Sequence, residues 1–352
     1  MASDSNNESL SDTSNIFGAH NDYAQMFQMI VGFGISQIVH SAAIFSLAEH
    51  LAQGPKTAVE IADAEALDAD ATFRLMRACA SLGLMAYNED SGFAATPLLR
   101  TLHKDDPNSL KGTALVQPAS AHWLPWGRIT DAIRSGKPQD EAALRCSAWD
   151  YFAKTPAEAE AFTQSMNAIT RGVARDAARL IDTRSTTIAT DIGGASGTLI
   201  HALMKENESL QGVVFDLPHI VPDAMKAAEK LGMQNRFSVE GGDFFSSVPP
   251  ADLHLLKWIM HDWGDDACLS ILKNCRLSIH PGGRIIILIE MLIEEVGTPG
   301  IASLADLIML IMHGGRERNL NEFKTLLDAS GFRFTSLTPT STPFVLIEAV
   351  AI

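Results

Sequence analysis

The sequence predicts an α/β protein: a doubly wound, mainly parallel sheet of seven strands, preceded by a separate helical domain. Three observations carry this prediction. From residue 187 onward, short apolar strands alternate with helical segments; the last two strands are separated only by a Pro/Thr/Ser turn; and residues from 23 to about 110 have helical texture with one small hairpin.

At 352 residues the chain is long enough for two domains. Residues 1–14 are polar, rich in Ser, Asn and Asp and without an apolar core, so they are expected to be a disordered tail and not a signal peptide. Residues 15–117 form the expected helical domain. Its apolar stretch Met26–Leu47 is broken by Gln28, Gln37 and His40 and contains Gly32 and Gly34, whereas a membrane span needs about 20 nearly uninterrupted apolar residues. It reads as a helix buried in protein or at a subunit interface. Thr57 followed by Glu60 has capping-box spacing for the next helix. Ala71–Leu82 is amphipathic, with Phe73, Met76 and Ala80 at helical spacing and Gly83 near the stop. Leu84–Tyr87 and Gly92–Ala95, joined by Asn88–Ser91, complete a unit that resembles a winged helix. Its second helix carries only Arg74 and Arg77 as cations, which favours packing over DNA binding.

Residues 118–352 form the second expected domain. It opens with helical sequence to Asp182, in which Trp123, Trp126, Trp149, Tyr151 and Phe152 precede Phe162. The strands are then expected at Thr187–Ile192, Val213–Leu217, Phe237–Val239, Leu253–Trp258, Arg284–Leu292, Phe334–Thr338 and Phe344–Val350, with helices near 199–206, 220–231 and 265–279. The closing hairpin makes one strand near the edge antiparallel.

The formal net charge of −15, without any Lys/Arg-rich block, disfavours nucleic acid and anionic membrane surfaces as partners. Cys79, Cys146, Cys268 and Cys275 form no metal-binding spacing and suit a reducing, cytoplasmic setting; no metal is expected.

The first strand of the α/β region runs into Asp191-Ile-Gly-Gly-Ala-Ser-Gly197. Gly193 and Gly194 let a ligand approach the backbone at a helix N-terminus, with an acid beside them. The dinucleotide fingerprint fails here, since Ala195 and Thr198 occupy its second and third glycine positions, and no P-loop lysine follows. An acid in this place suits a cationic ligand such as S-adenosylmethionine. Asp216, beside Leu217 at the next strand end, can accept both hydroxyls of a ribose. Asp243 and Phe244 close the third strand, where an acid and an aromatic can meet an adenine. Each acid alone could merely cap a helix; three in successive strand-end positions favour adenosyl binding.

The fourth strand ends in Leu256-Lys-Trp-Ile-Met-His-Asp-Trp263. Together with the glycine loop, Phe215–His219, Gly241–Asp243 and Gly314–Arg318, this resembles the small-molecule S-adenosylmethionine-dependent O-methyltransferases of the caffeate, isoflavone and phenazine type. The similarity runs from about Phe17 to the C-terminus. It implies a methyltransferase sheet of the Rossmann-like kind, an N-terminal dimerisation domain, a homodimer, and methyl transfer to a hydroxyl of a small aromatic substrate. His261 matches the family's general base, and Glu290 and Glu317 match the carboxylates that flank it. A phenol has a pKa near ~10, so a base of near-neutral pKa is what such a reaction requires. The resemblance further implies that Lys257 reaches the methionine carboxylate, that Trp263 walls the cofactor, and that Phe162, Met166 and Thr170 line the acceptor pocket. The chain departs from the family in two places. Ile169 stands where some plant members have a histidine, and Ala195 replaces a common loop glycine. The first argues against a phenylpropanoid acceptor. Methylation of nitrogen or carboxylate, and rearrangement or decarboxylation with the cofactor retained, remain rival chemistries.

Overall fold

The computed structural model describes residues 22–280 and 285–352. The expected tail at Met1–Ser14 and the expected strand start at Arg284 lie outside these. The chain divides into two compact units, one reaching Ala119 and adding Ala157–Ser165, the other comprising Ser120–Pro156 and Met166–Ile352.

In the N-terminal unit a helix spans Asp22–Ile44 and further helices span Ala58–Glu65 and Ala69–Ser81. The capping box forms: the Thr57 hydroxyl accepts the Glu60 N–H at 3.2 Å, and the Glu60 carboxylate accepts the Thr57 N–H at 2.7 Å. Strands β1 (Met85–Asn88) and β2 (Gly92–Ala95) pair antiparallel. Ile61, Met76, Cys79, Phe93 and Leu99 form the core beneath them. The first helix is not buried within one chain: only Ala42 and Ala43 are, while Met26, Met29, Ile30 and Phe33 are each more than half exposed. By length and composition alone this helix could cross a bilayer.

The C-terminal unit holds β3 (Ile188–Ile192), β4 (Gln211–Asp216), β5 (Phe237–Gly241), β6 (Leu253–Lys257), β7 (Ile285–Met291), β8 (Phe332–Pro339) and β9 (Phe344–Ala351). They form one sheet in the order β5-β4-β3-β6-β7-β9-β8. Only β9 runs against its neighbours, as the terminal hairpin predicts. Successive side chains face opposite sides. Ala189, Leu253, Leu255, Ile287 and Ile289 pack with helices Pro156–Leu180, Thr198–Glu206 and Val221–Lys230. Ile192, Leu256 and Leu288 pack with Asp265–Ser278 and Leu320–Ala329 on the other face. Strand order reverses between β3 and β6, and ligands of open α/β sheets bind where the carboxyl ends of such strands diverge. Asp191 and Lys257 stand at those two ends.

Candidate active site

The donor side is built around Asp191. Its carboxylate is buried under the glycine loop, and a Cβ at Gly194 would lie 2.7 Å from its carboxyl carbon, so only glycine fits there. Burial pushes the Asp191 pKa up to about 7, against the pull of Lys257. Lys257 is itself lowered to about 8 by desolvation, which Asp191, Glu290 and Asp262 oppose. An acid held this far from water is complementary to a cation. Ala195 keeps the loop geometry that glycine usually supplies, at φ 47°, in the left-handed region that costs a residue with a Cβ about 1 kcal/mol or more.

Asp216 is half-buried and already engaged: it accepts the Ala195 N–H at 2.9 Å and the Leu217 N–H at 2.7 Å. Leu217 is about half exposed at the strand end. Asp243 is exposed and accepts the Phe245 N–H at 2.9 Å, so its carboxylate caps a turn as well as facing outward. Phe244 meets Trp263 edge-on, at 6.1 Å between centroids. Phe245, to which no sequence signal points, meets the same indole at 4.8 Å.

His261 lies in a short 3-10 turn, Met260–Asp262, just past β6. The chain turns into it at Trp258, whose φ of 56° is a strained value for a large side chain, on the order of 1–3 kcal/mol. Its N–H is held by the Ile289 carbonyl at 3.0 Å, and its indole stacks on the His261 ring at 4.9 Å and 14°. Glu317 Oε1 accepts a hydrogen bond from His261 Nδ1 at 2.8 Å. That bond places the proton on Nδ1 and leaves Nε2 as the basic atom, 3.4 Å from Asp262 Oδ1. Burial alone would lower the His261 pKa, but the Glu317 bond and the charges of Asp262 and Glu290 raise it above the ordinary value.

Glu290 acts differently from Glu317. It is fully buried on β7 and accepts the Met260 N–H at 3.0 Å, so its hydrogen bond holds the turn and not the imidazole. Burial raises its pKa to about 8, with His261 opposing and Glu317 adding. The ligand atoms of His261, Glu290 and Glu317 lie within 4.8 Å of one another, so the histidine and the two carboxylates expected to flank it share one buried cluster.

Two further residues of the Gly314–Arg318 segment position this cluster. A Cβ at Gly315 would clash with the His261 carbonyl oxygen and sit 2.6 Å from the Asp262 carbonyl carbon. Arg318 is fully buried and donates to the Met260 carbonyl (2.8 Å) and the Trp263 carbonyl (2.7 Å), while pairing with Asp265. It clamps both ends of the His261 turn. The Gly314–Arg318 motif is visible in the sequence, but no local signal in it assigns Arg318 this task.

Of the expected acceptor-lining residues, Met166 and Thr170 lie a turn apart on Pro156–Leu180, and the Thr170 hydroxyl is spent on the Met166 carbonyl at 2.7 Å. Phe162, on the same helix, falls in the segment that clusters with the N-terminal unit. Nearby, the loop residue Ser196 donates to Asn167 at 3.1 Å.

A doubly wound sheet with a buried acid under a glycine loop at its switch point, and a carboxylate-held histidine beside it, defines a group-transfer enzyme with a cationic nucleoside donor. Residues 126–333 match the O-methyltransferase domain and residues 27–105 the O-methyltransferase dimerisation domain. The chain is 30% identical over 325 residues to phenazine O-methyltransferase PhzM of Lysobacter antibioticus, covering 92% of this chain and 95% of that protein. It is 33% identical to the O-demethylpuromycin-O-methyltransferase of Streptomyces alboniger over 343 residues, 96% of this chain and 90% of that one. The crystal structure of LaPhzM superposes with a TM-score of 0.89 at 30% identity, covering 95% and 100% of the two chains. Human N-acetylserotonin methyltransferase in complex with S-adenosylmethionine gives 0.86 at 26% identity, over 95% and 99%. The chain belongs to the family of S-adenosylmethionine-dependent small-molecule O-methyltransferases and carries that family's dimerisation domain.

Proposed function

We propose that this enzyme methylates a hydroxyl of a small aromatic secondary metabolite, with His261 as general base. The observation that carries the reading is the His261–Glu317 bond, which engages Nδ1 and leaves Nε2 as the nitrogen that can accept a proton at the carboxyl edge of the sheet. The relatives' names, with phenazine and puromycin derivatives among them, support the substrate class.

The donor supplies an electrophilic methyl on a sulfonium. Asp191 receives its cationic end, Lys257 its carboxylate, Asp216 the ribose, and Asp243, Phe244 and Trp263 the adenine, with Gly193, Gly194 and Leu217 lining the approach. His261 Nε2 takes the acceptor hydroxyl's proton as that oxygen bonds to the methyl carbon and the sulfur–methyl bond breaks, releasing S-adenosylhomocysteine. Glu317 and the Trp258 indole hold the ring in place and stabilise the imidazolium that forms. Glu290 and Arg318 keep the turn in position. Alignment of oxygen, carbon and sulfur supplies much of the acceleration.

The protein acts as a homodimer in this reading. The exposed apolar helix Asp22–Ile44 lies largely within the dimerisation match, and the same unit has an apolar cavity of about 470 Å³ bordered by Ile35, Val39, Leu82, Leu84, Leu98 and Leu102. Burial by a second copy, and not by lipid, is the function assigned to that helix, consistent with a cytoplasmic enzyme.

The test is His261→Gln assayed with labelled S-adenosylmethionine and a panel of hydroxyarenes. Turnover should fall about 10²–10⁴-fold with donor affinity nearly intact. Near-wild-type turnover would refute the base assignment, and product of unchanged mass from the unmutated enzyme would refute methyl transfer.

A further inference from the structure

One aromatic pair has no task in the chemistry above. The helix Ala302–Met312 ends at His313, two residues before the Gly315 that packs on the His261 carbonyl. The His313 imidazole stacks on the Trp149 indole, with centroids 5.6 Å apart and planes at 22°. Both residues flank a small buried cluster of Ala132, Ala148, Ile311 and Met312. Hydrogen bonds stiffen that cluster: the Asp140 carboxylate accepts the Ala148 N–H at 3.0 Å, and the Gln139 backbone N–H donates to the Ile311 carbonyl at 2.7 Å. The pair is therefore held on a rigid frame.

What the frame holds is incomplete by itself. His313 is half-buried, yet neither ring nitrogen has a hydrogen-bond partner among the described residues. A ring nitrogen that the protein leaves without a partner is available to bond a polar group of a ligand. Trp149, though stacked, is 58% exposed, an unusual position for an indole in an ordinary core. Burial lowers the His313 pKa, with Asp262 and Asp140 opposing and His261 adding. The ring is thus neutral at pH 7, with one nitrogen to donate and one to accept. Its position two residues before Gly315, which packs on the backbone of His261 and Asp262, puts it on the segment that borders the base.

We propose that Trp149 and His313 form the acceptor-recognition platform: the indole receives a flat aromatic ring, and a His313 nitrogen bonds a polar substituent other than the hydroxyl that is methylated. The substrate class is then a planar hydroxyarene bearing a second hydroxyl, carbonyl or carboxyl group. This rests on the reading of His261 as the base of the same site. His313 is a specificity residue and takes no proton in the reaction.

The experiment compares full-length wild type and variants on matched acceptors, 2,3-dihydroxynaphthalene against 2-naphthol. Wild type should favour the diol. His313→Leu should raise KM for the diol about tenfold or more while changing the mono-ol by less than about twofold, because only the diol loses a bond. Donor affinity by calorimetry should not move, and His313→Asn should recover part of the preference. Trp149→Ala should raise KM for both acceptors, and Trp149→Phe far less. A wild-type preference for the mono-ol, an unchanged ratio in His313→Leu, or a parallel loss of donor affinity would overturn the proposal. If the leucine variant does not fold, the Trp149→Ala and Trp149→Phe pair decides through the two KM values. Failure of the base reading looks different: His261→Gln would keep turning over, with the His313-dependent preference intact.

Discussion

Donor affinity should depend on pH in a way set by two buried groups. In the free enzyme Asp191 holds its proton up to about pH 7, because burial disfavours the carboxylate. A sulfonium and an ammonium placed beside it favour the carboxylate, so binding must expel that proton. At pH 7 about half of the molecules carry it and at pH 6 about nine in ten, so binding should release roughly 0.5 and 0.9 protons at these values. Affinity therefore rises with pH and levels off above 7; below 7 it falls toward tenfold per pH unit. Lys257 works in the opposite sense. Its pKa of about 8 means that it loses its charge, and its hold on the donor's carboxylate, as pH rises through 8. The expected profile has its optimum between pH 7 and 8. Titration calorimetry in two buffers of different ionisation enthalpy measures the protons directly. Asp191→Asn should flatten the acid limb, and Lys257→Met should weaken the alkaline one. The limb that survives Lys257→Met belongs to the donor's own amine, which titrates near ~8. A binding heat at pH 6 that does not change with buffer would refute the placement of Asp191 against the cation.

Two structural predictions complement this. Gly315→Ala should cut turnover and lower the melting temperature, because the added methyl meets the backbone of His261 and Asp262 and not a movable side chain; wild-type turnover and melting would contradict the close packing described. Light scattering should report a dimer near twice 38.0 kDa, and a clean monomer at micromolar concentration would remove the assignment of the helix Asp22–Ile44 to a partner chain.

Much of the fold was readable because apolar periodicity is local. The seven strands were found to within about two residues, since each is a short apolar run between turn residues. Two helices of the C-terminal unit lie outside the sequence expectation for opposite reasons. Ala302–Met312 is apolar around nearly its whole circumference and so shows no stripe. Leu320–Ala329 carries a capping box at Asn319 and Glu322, a start signal legible in the sequence. The buried face of the helix Ala69–Ser81 also differs from the expected one, with Thr72, Met76 and Cys79 facing inward while Phe73 packs in a ring cluster with Tyr87 and Phe93.

The site divides along the same physical line. Asp191, Asp216 and Lys257 could be placed from sequence because parallel topology brings every strand's carboxyl end to one edge, whatever lies between. Asp243 has the same placement but an exposed, turn-capping carboxylate, so strand-end position alone does not distinguish a ligand contact from a cap. Glu290 and Glu317 could be named together but not told apart, since their difference is one of direction: one grips the Met260 N–H, the other the imidazole. Arg318 and the Trp149–His313 stack were beyond reach, because each depends on side chains from distant segments meeting in space. Periodicity reports which face a residue takes and topology reports which edge. Neither reports which of two neighbouring carboxylates touches the base, and that contact decides which imidazole nitrogen is left to take the proton.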